Sequence, residues 1–220
     1  PSARLDEEAP LATLAVSQQS KSLKGVRPLA AAMQRRKRPD WEDHMKNLLD
    51  KYGIKQLGYH VENIEESAKL FRGLMGAGPF VDLGVSEPVS LKYHGQDSGM
   101  RSRCALGHVK DVQIELIEVT TDEPDVYKDA GYGLHHVCIW ADDVDEVVEQ
   151  FTAEGIEVAM EMVSGQGLKV VYFDAREQLG CFVECSAPIE QLWQGVKALH
   201  ENAGEDTPAL IPLSALMGGR

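Results

Sequence analysis

Short stretches of alternating apolar and polar residues fill the middle of the chain, and longer stretches carry apolar residues at helical spacing. Alternation is typical of strands with one buried face, whereas a repeat of three to four residues is typical of an amphipathic helix. From residue 54 onward the pattern predicts a strand in IKQLGYHV, a helix in IEESAKLFRGLMG, and further strands in PFVDLGV, VSLKYHG, RSRCALG and DVQIELIEV.

The same order of elements begins again after an acidic connector, TTDEPDVYKDAGYG. The pattern now predicts a strand in LHHVCIWA, a helix in VDEVVEQFTAEG, and strands in IEVAMEMV, LKVVYFDA and CFVECSA. Residues 56–64 align with residues 136–144 without a gap. Both passages end in a strand that places a glutamate, Glu115 or Glu184, between apolar neighbours. These matches indicate an internal repeat of roughly 60 residues.

Both ends of the chain differ from the repeat. Residues 1–53 predict an N-terminal extension that is partly flexible and contains a helix near residues 40–52, with Asp40 as its N-cap and Gly53 at its end. Residues 188–220 predict a second helix, in PIEQLWQGVKALHENAG, followed by a tail.

Composition narrows the class of protein. A chain of 220 residues that is 43% hydrophobic can bury a sizeable core. Its net charge of −13 argues against nucleic-acid binding, which needs clustered Lys and Arg. No apolar stretch approaches the ~18 residues of a membrane span. The four cysteines form no C-x-x-C pair, which indicates reduced thiols in a cytoplasmic protein. We therefore expect a small-molecule partner.

The repeat resembles the vicinal oxygen chelate superfamily, which contains glyoxalase I, methylmalonyl-CoA epimerase, extradiol dioxygenases, and the bleomycin and fosfomycin resistance proteins. The resemblance covers residues 54–187, and its most specific parts are QLGYHVENIEESAKLFRGLMGAGPF, DVQIELIEV, GLHHVCIWADDVDEVVEQF and VVYFDAREQLGCFVECSAP. It implies an α+β fold in which two βαβββ modules, residues 54–120 and 133–187, pair their curved mixed sheets around a central cavity. Helical extensions would flank this paired domain.

In this superfamily one residue from the first strand and one from the last strand of each module bind a metal ion. Carried over to this chain, the resemblance implies four metal ligands: Gln56, Glu115, His136 and Glu184. His135 directly precedes His136 in the strand, so we expect it to point to the opposite face. An unsatisfied polar side chain in an apolar strand costs a few kcal/mol, and one divalent ion would satisfy all four.

The residue types also bear on the metal and the reaction. Three oxygen donors and one imidazole suit Zn²⁺, Ni²⁺, Co²⁺, Mn²⁺ or Fe²⁺. In the glyoxalase and epimerase branches the ion stabilises the enolate that forms when a proton leaves the carbon next to a carbonyl. Glu184 is the first candidate for the base, because the last-strand glutamate of glyoxalase-like sites can leave the metal. His60 shares strand parity with Gln56 and is a second acid/base candidate, while Trp140 and Tyr172 are candidates for substrate binding.

The leading hypothesis is a metal-dependent isomerase, epimerase or lyase that removes a proton next to a carbonyl of a small oxygenated substrate. One alternative is a metal-free binding protein of the resistance type. The other is a ring-cleaving dioxygenase, which Gln56 disfavours because it stands where those enzymes use a histidine. We also expect a homodimer, since both terminal helices carry an apolar face.

Overall fold

The structure is a computed structural model that describes residues 48–217. The predicted flexible extension, most of the helix near residues 40–52 and the last three residues lie outside this range. Within it the chain forms seven helices, α1 Leu48–Tyr52, α2 Ile64–Met75, α3 Val126–Ala130, α4 Val144–Ala153, α5 Arg176–Leu179, α6 Glu190–Asn202 and α7 Leu213–Met217. It also forms eleven strands, β1 Ile54–His60, β2 Phe80–Ser86, β3 Ser90–Tyr93, β4 Gln96–Asp97, β5 Ser102–Val109, β6 Val112–Val119, β7 Gly133–Trp140, β8 Val158–Val163, β9 Lys169–Phe173, β10 Phe182–Ser186 and β11 Leu210–Pro212.

All eleven strands belong to one mixed sheet, in the order β11-β2-β5-β6-β1-β7-β10-β9-β8-β3-β4. Four neighbouring strands, β2-β5-β6-β1, come from the first repeat, and the next four, β7-β10-β9-β8, come from the second. In each repeat the first strand runs parallel to the last one. This arrangement confirms the predicted α+β fold with a large mixed sheet.

The two repeats meet where β1 pairs with β7 in the antiparallel direction. Leu57 lies opposite Val137, Gly58 opposite His136, and Gln56 opposite Cys138. A two-fold axis through the first of these pairs therefore exchanges Gln56 with His136, which is the correspondence that the gap-free alignment of the two passages gives.

The sheet must curve strongly, because β2 and β3 lie eight positions apart in it but are joined by only residues 87–89. In a flat sheet these two strands would be separated by ~38 Å, at ~4.8 Å per strand. The chain from Ser86 to Ser90 can span at most ~14 Å. The β3–β4 hairpin of the first repeat thus reaches the outer edge strand of the second, β8.

Helices pack on both faces of the sheet. On one face, the helix face, α2 packs on Phe80, Ile114 and Leu116, while α4 packs on Val171 and Phe173. The other face carries Glu115 and Glu184 and is called the site face here. On it α3 buries Val126 and Tyr127 against the second repeat, and α6 buries Val196 against the first.

The C-terminal residues form a strand and a short helix where the sequence predicted a tail. β11 pairs in parallel with β2 and so covers the outer edge of the first repeat. The side chain of Arg72, on α2, donates hydrogen bonds to the carbonyls of Gly204 and Thr207 and holds the connection to β11 against the helix. Residues 188–217 are therefore part of the folded domain.

Two further expectations can be compared with the structure. All four cysteines are free; Cys138, Cys181 and Cys185 are buried, and Cys104 is half-buried. Among the residues that the structure describes, none of the helices is both long and apolar enough to cross a membrane.

Candidate metal centre

At the centre of the site face, the side chain of His136 extends over the neighbouring strand, β1, at a glycine. Gly58 lies opposite His136, and an ideal Cβ placed on this glycine would be 2.0 Å from Cε1 of the imidazole. The ring therefore occupies the volume that any side chain at position 58 would need. Glycine in a strand interior often marks such a close approach.

Two carboxylates meet the His136 ring from strands on either side. Glu115 lies on β6 beside Gly58, and its Oε2 is 3.4 Å from Nε2 of His136. Glu184 lies on β10, and its Oε2 is 3.2 Å from the same nitrogen. One donor atom from each of the three residues lies within 4.8 Å of the others. Each repeat thus supplies one last-strand glutamate to a common centre.

These three side chains fit a divalent cation. His136 is fully buried, and its Nε2 has no hydrogen-bond partner although both carboxylates lie beside it. A neutral imidazole with its lone pair on this nitrogen would repel the two carboxylates. A proton or a metal ion at this point removes that conflict, and oxygen and imidazole donors together suit Zn²⁺ and its neighbours in the first transition row.

Burial and charge shift the ionisation of the cluster. Burial raises the pKa of Glu184, and the nearby Glu115 carboxylate raises it further, although His136 acts in the opposite direction. Burial opposes protonation of His136, but Glu184 and Glu115 outweigh it and raise the pKa of the imidazole. The two carboxylates thus favour a positive charge at the imidazole, whether a proton or a metal ion supplies it.

Neighbouring side chains hold Glu184 in place. The thiol of Cys138 donates to Oε1 of Glu184 at 3.3 Å, which leaves Oε2 directed at His136. Tyr172 is opposite Glu184 in the register, and its ring centroid lies 5.2 Å from that of His136. The Tyr172 hydroxyl is 2.9 Å from the hydroxyl of Tyr127, which comes from α3. The predicted substrate residue Tyr172 therefore faces this centre.

Gln56, the fourth predicted ligand, lies on β1 two residues before Gly58, and its role as a ligand stays a prediction. Gln56 is buried, and its Nε2 donates to Oε1 of Gln113 at 3.0 Å. Gln113 in turn approaches Nε2 of His108 at 3.2 Å. In this row of hydrogen bonds the Gln56 amide donates through its nitrogen, and its amide oxygen takes no part.

His60 and Trp140, the remaining predicted site residues, are the last residues of β1 and β7 and lie at opposite ends of this antiparallel pair. Nδ1 of His60 is 3.0 Å from the carbonyl oxygen of Gly131, and the ring packs against Tyr127 and Tyr132. Trp140 lies near Trp193 of α6 with ring centroids 6.5 Å apart. Neither residue belongs to the cluster of three, and their roles in catalysis and substrate binding stay predictions.

The expectation for His135 is wrong. The register between β1 and β7 shifts between Gly58 and Tyr59, so that an extra residue of β7 sits opposite this step. Such a bulge breaks the alternation of side chains. His135 consequently stacks on Phe182 and lies 3.0 Å from His136, Nδ1 to Nδ1.

Sequence reasoning also missed Gly58, Cys138 and Tyr127. A glycine inside the predicted first strand was the available signal for Gly58. Cys138 had a weaker signal, since it is two residues from His136 and shares its strand parity. Tyr127 lies in the acidic connector, where the sequence offered no indication of a buried ring.

Comparisons with known proteins agree with this architecture. The pattern of the Glyoxalase/Bleomycin resistance protein/Dioxygenase superfamily matches residues 55–173, more than half of the chain. A mitochondrial methylmalonyl-CoA epimerase from Dictyostelium discoideum is 26% identical over 147 residues, which cover 63% of this chain and 81% of that protein.

Solved structures align with the chain at lower identity. A hypothetical protein from Bacillus halodurans C-125 aligns with a TM-score of 0.45 and 19% identity, covering 63% of this chain and 95% of its own. The methylmalonyl-CoA epimerase from Mycobacterium tuberculosis aligns with a TM-score of 0.44 and 15% identity, covering 64% and 90%. Repeat, register and family pattern agree, and the chain belongs to the Glyoxalase/Bleomycin resistance protein/Dioxygenase superfamily.

Proposed function

We propose that this protein is a metal-dependent epimerase or isomerase that moves a proton on the carbon next to a carbonyl group. The observation that carries the proposal is the buried Nε2 of His136, which has no hydrogen-bond partner and lies 3.2 and 3.4 Å from two carboxylates. Such an arrangement is costly without a cation and useful with one.

The proposed ligands are Glu115, His136 and Glu184, with the amide oxygen of Gln56 as a fourth. Zn²⁺, Ni²⁺, Co²⁺, Mn²⁺ and Fe²⁺ are all compatible with this mixture of oxygen and imidazole donors. When bound, the ion would act as a Lewis acid that draws electron density from the substrate carbonyl and so acidifies the neighbouring C–H bond.

Glu184 is the proposed base. Its pKa is raised by burial, and a general base works best when its pKa approaches the operating pH. The Cys138 thiol contacts Oε1, so Oε2 would be the oxygen that contacts the ion and that, once released from it, would receive the proton. Tyr172 and Trp140 are proposed substrate contacts, and His60 is the proposed second acid/base group.

The proposed substrate class is an acyl thioester that carries an acidic hydrogen on the α-carbon. The support is the relative from Dictyostelium discoideum, whose name gives methylmalonyl-CoA as its substrate. Epimerisation of such a thioester requires removal of the α-proton and its return to the opposite side of a planar enolate. Both steps need buried acid/base groups, which the site face supplies.

Deuterium exchange tests the proposal directly. We expect methylmalonyl-CoA incubated in D₂O with metal-loaded protein to gain deuterium at the α-carbon, and the exchange to stop after chelation. Glu184→Gln should slow exchange by about 10²–10⁴-fold, the usual contribution of a general base. Glu161→Gln, on β8 outside the cluster of three, is the matched control and should exchange like the wild type.

Three results would contradict the proposal. Exchange that is unaffected by chelation and by Glu184→Gln would show that neither a metal ion nor Glu184 takes part in the proton transfer. Oxygen consumption with an aromatic diol, without exchange, would identify a dioxygenase. Tight binding of a planar drug by protein that takes up no Co²⁺, Ni²⁺ or Zn²⁺ would identify a resistance-type binding protein.

A further inference from the structure

His135 and His136 are adjacent residues whose side chains lie on the same face of the sheet. In a regular strand they would point to opposite faces, and the bulge between β1 and β7 brings them together. Their Nδ1 atoms are 3.0 Å apart, and their rings are nearly perpendicular. At this distance a single proton lies between the two nitrogens.

The second nitrogen of His135 fixes the direction of this hydrogen bond. Nε2 of His135 is 3.2 Å from the carbonyl oxygen of Val126. A carbonyl oxygen only accepts, so this nitrogen carries a hydrogen. The ring is 1% exposed and packs between Tyr127 and Phe182, which are poor surroundings for a second proton and its charge. His135 is therefore neutral, and its Nδ1 accepts.

The consequence falls on His136. Because Nδ1 of His135 accepts, Nδ1 of His136 must donate. The remaining nitrogen, Nε2, then keeps its lone pair for a cation between Glu115 and Glu184. The hydrogen bonds run in one direction, from Nδ1–H of His136 to His135, and from Nε2–H of His135 to the Val126 carbonyl.

We propose that His135 is a positioning residue that holds His136 as the Nδ1–H tautomer with Nε2 directed at the metal. This inference rests on the proposed function, which supplies the metal ion. Histidine ligands commonly donate their second N–H to a carboxylate, a carbonyl or water, and loss of that partner weakens metal binding by 10–100-fold. Here the partner is a second histidine, placed by a bulge.

Two substitutions separate the hydrogen bond from the packing. His135→Phe keeps an aromatic ring against Tyr127 and Phe182 but removes the acceptor. His135→Asn restores an acceptor, because the Asn oxygen occupies the place of Nδ1. We expect His135→Phe to raise the Kd for Co²⁺ by 10–100-fold, and His135→Asn to recover most of the loss.

His200→Phe is the matched control. His200 also uses both ring nitrogens, at 2.6 Å from the carbonyl oxygen of Gly78 and at 3.2 Å from the backbone N–H of Lys110, but it lies on α6 outside the cluster. Its replacement should leave the Kd for Co²⁺ within about twofold. Thermal unfolding of each variant identifies any change that comes from loss of the fold.

A second measurement does not depend on metal binding. In ¹⁵N-histidine-labelled protein, two-bond ¹⁵N–¹H spectra should show His135 protonated at Nε2 only, with or without metal, and His136 protonated at Nδ1 when metal is bound. A hydrogen on Nδ1 of His135, or a His135→Phe variant that binds Co²⁺ as tightly as the wild type, would overturn the inference. Absence of Co²⁺ binding by the wild type would overturn the proposed function, and the His135 tautomer would still decide the direction of the hydrogen bond.

Discussion

At the scale of single residues, Gly58 determines whether the two repeats can share one centre. It lies between Glu115 on one neighbouring strand and His136 on the other. Since the imidazole fills the space above it, even a methyl group at this position would overlap the ring.

We expect Gly58→Ala to displace the His136 ring, to destabilise the fold by about 1–3 kcal/mol, as overpacking of a core typically does, and to weaken Co²⁺ binding. Urea denaturation and metal titration measure the two effects. Gly165→Ala is the control, because nothing lies within 4 Å of a Cβ there. Equal behaviour of the two variants would contradict the prediction.

His108, which is buried, makes the stability of the fold depend on pH. Burial lowers its pKa from 6.5 to about 4, so the unfolded chain binds more protons between these values. Above pH 6.5 His108 is neutral in both states and does not reduce the free energy of unfolding. As the pH falls from 6.5 towards 4, protonation of the unfolded chain lowers the free energy of unfolding by about 3 kcal/mol.

The measurement for His108 is the free energy of unfolding between pH 7 and pH 4. His108→Gln should show a smaller loss over this range than the wild type. His94→Asn, at an exposed turn position with positive φ, should follow the wild type. An unchanged pH profile in His108→Gln would show that His108 does not titrate in this way.

The resemblance to the superfamily implied four metal ligands, and the structure places three of them, Glu115, His136 and Glu184, together. They meet because each side chain projects from its strand to the same face of the sheet. The sequence misjudged His135, because a bulge depends on the pairing of two distant strands and leaves no mark in local alternation.

At the scale of elements, α2 shows how local signals set a helix. Asn63 accepts a hydrogen bond from the backbone N–H of Glu66 at the start, and Gly76 ends the helix in the left-handed conformation. Arg103 of β5 ties the helix to the sheet through Glu65 and Asp82. The predicted and observed ends agree closely for this reason.

Gly73 is the weak point of this helix. It lies within α2, and nothing is within 4 Å of a Cβ built on it. Gly73→Ala should therefore stabilise the protein by about 0.5–1 kcal/mol through helix propensity alone. Thermal and urea unfolding check this, and a destabilised variant would contradict it.

Local sequence patterns did not predict the elements that depend on contacts with distant parts of the chain. The five residues of α3 lie in an acidic connector, and the helix is held by burial of Val126 and Tyr127 beneath the second repeat. Likewise, VSLKYHG reads as one strand, but the chain turns at His94 and returns as β4. Periodicity within seven residues contains no information about such partners.

At the scale of the whole molecule, the C-terminal segment completes the first repeat. Val196 of α6 is fully buried against Val81 and Leu106. Val196→Ala should cost about 2 kcal/mol, in the range for removing buried methyl groups, whereas Gln191→Ala on the exposed side of α6 should be nearly neutral. Urea denaturation measures both, and equal stabilities would show that α6 contributes little.

Two predictions about the whole protein stay predictions: the homodimer and the cytoplasmic location. Light scattering on purified protein measures the first, and twice the chain mass of 24.2 kDa is the expected result. Microscopy of a tagged full-length protein measures the second.

The β3–β4 hairpin determines whether the two repeats can fold independently of each other. Two equal halves produced by duplication could in principle separate again, each keeping its own fold. Here the β3–β4 hairpin of the first half pairs with β8, the outermost strand of the second half. Separating the halves would leave the hairpin without its partner strand and would expose β8 as an unpaired edge that can associate with other chains. Separation of the two repeats would therefore disrupt strand pairing in both.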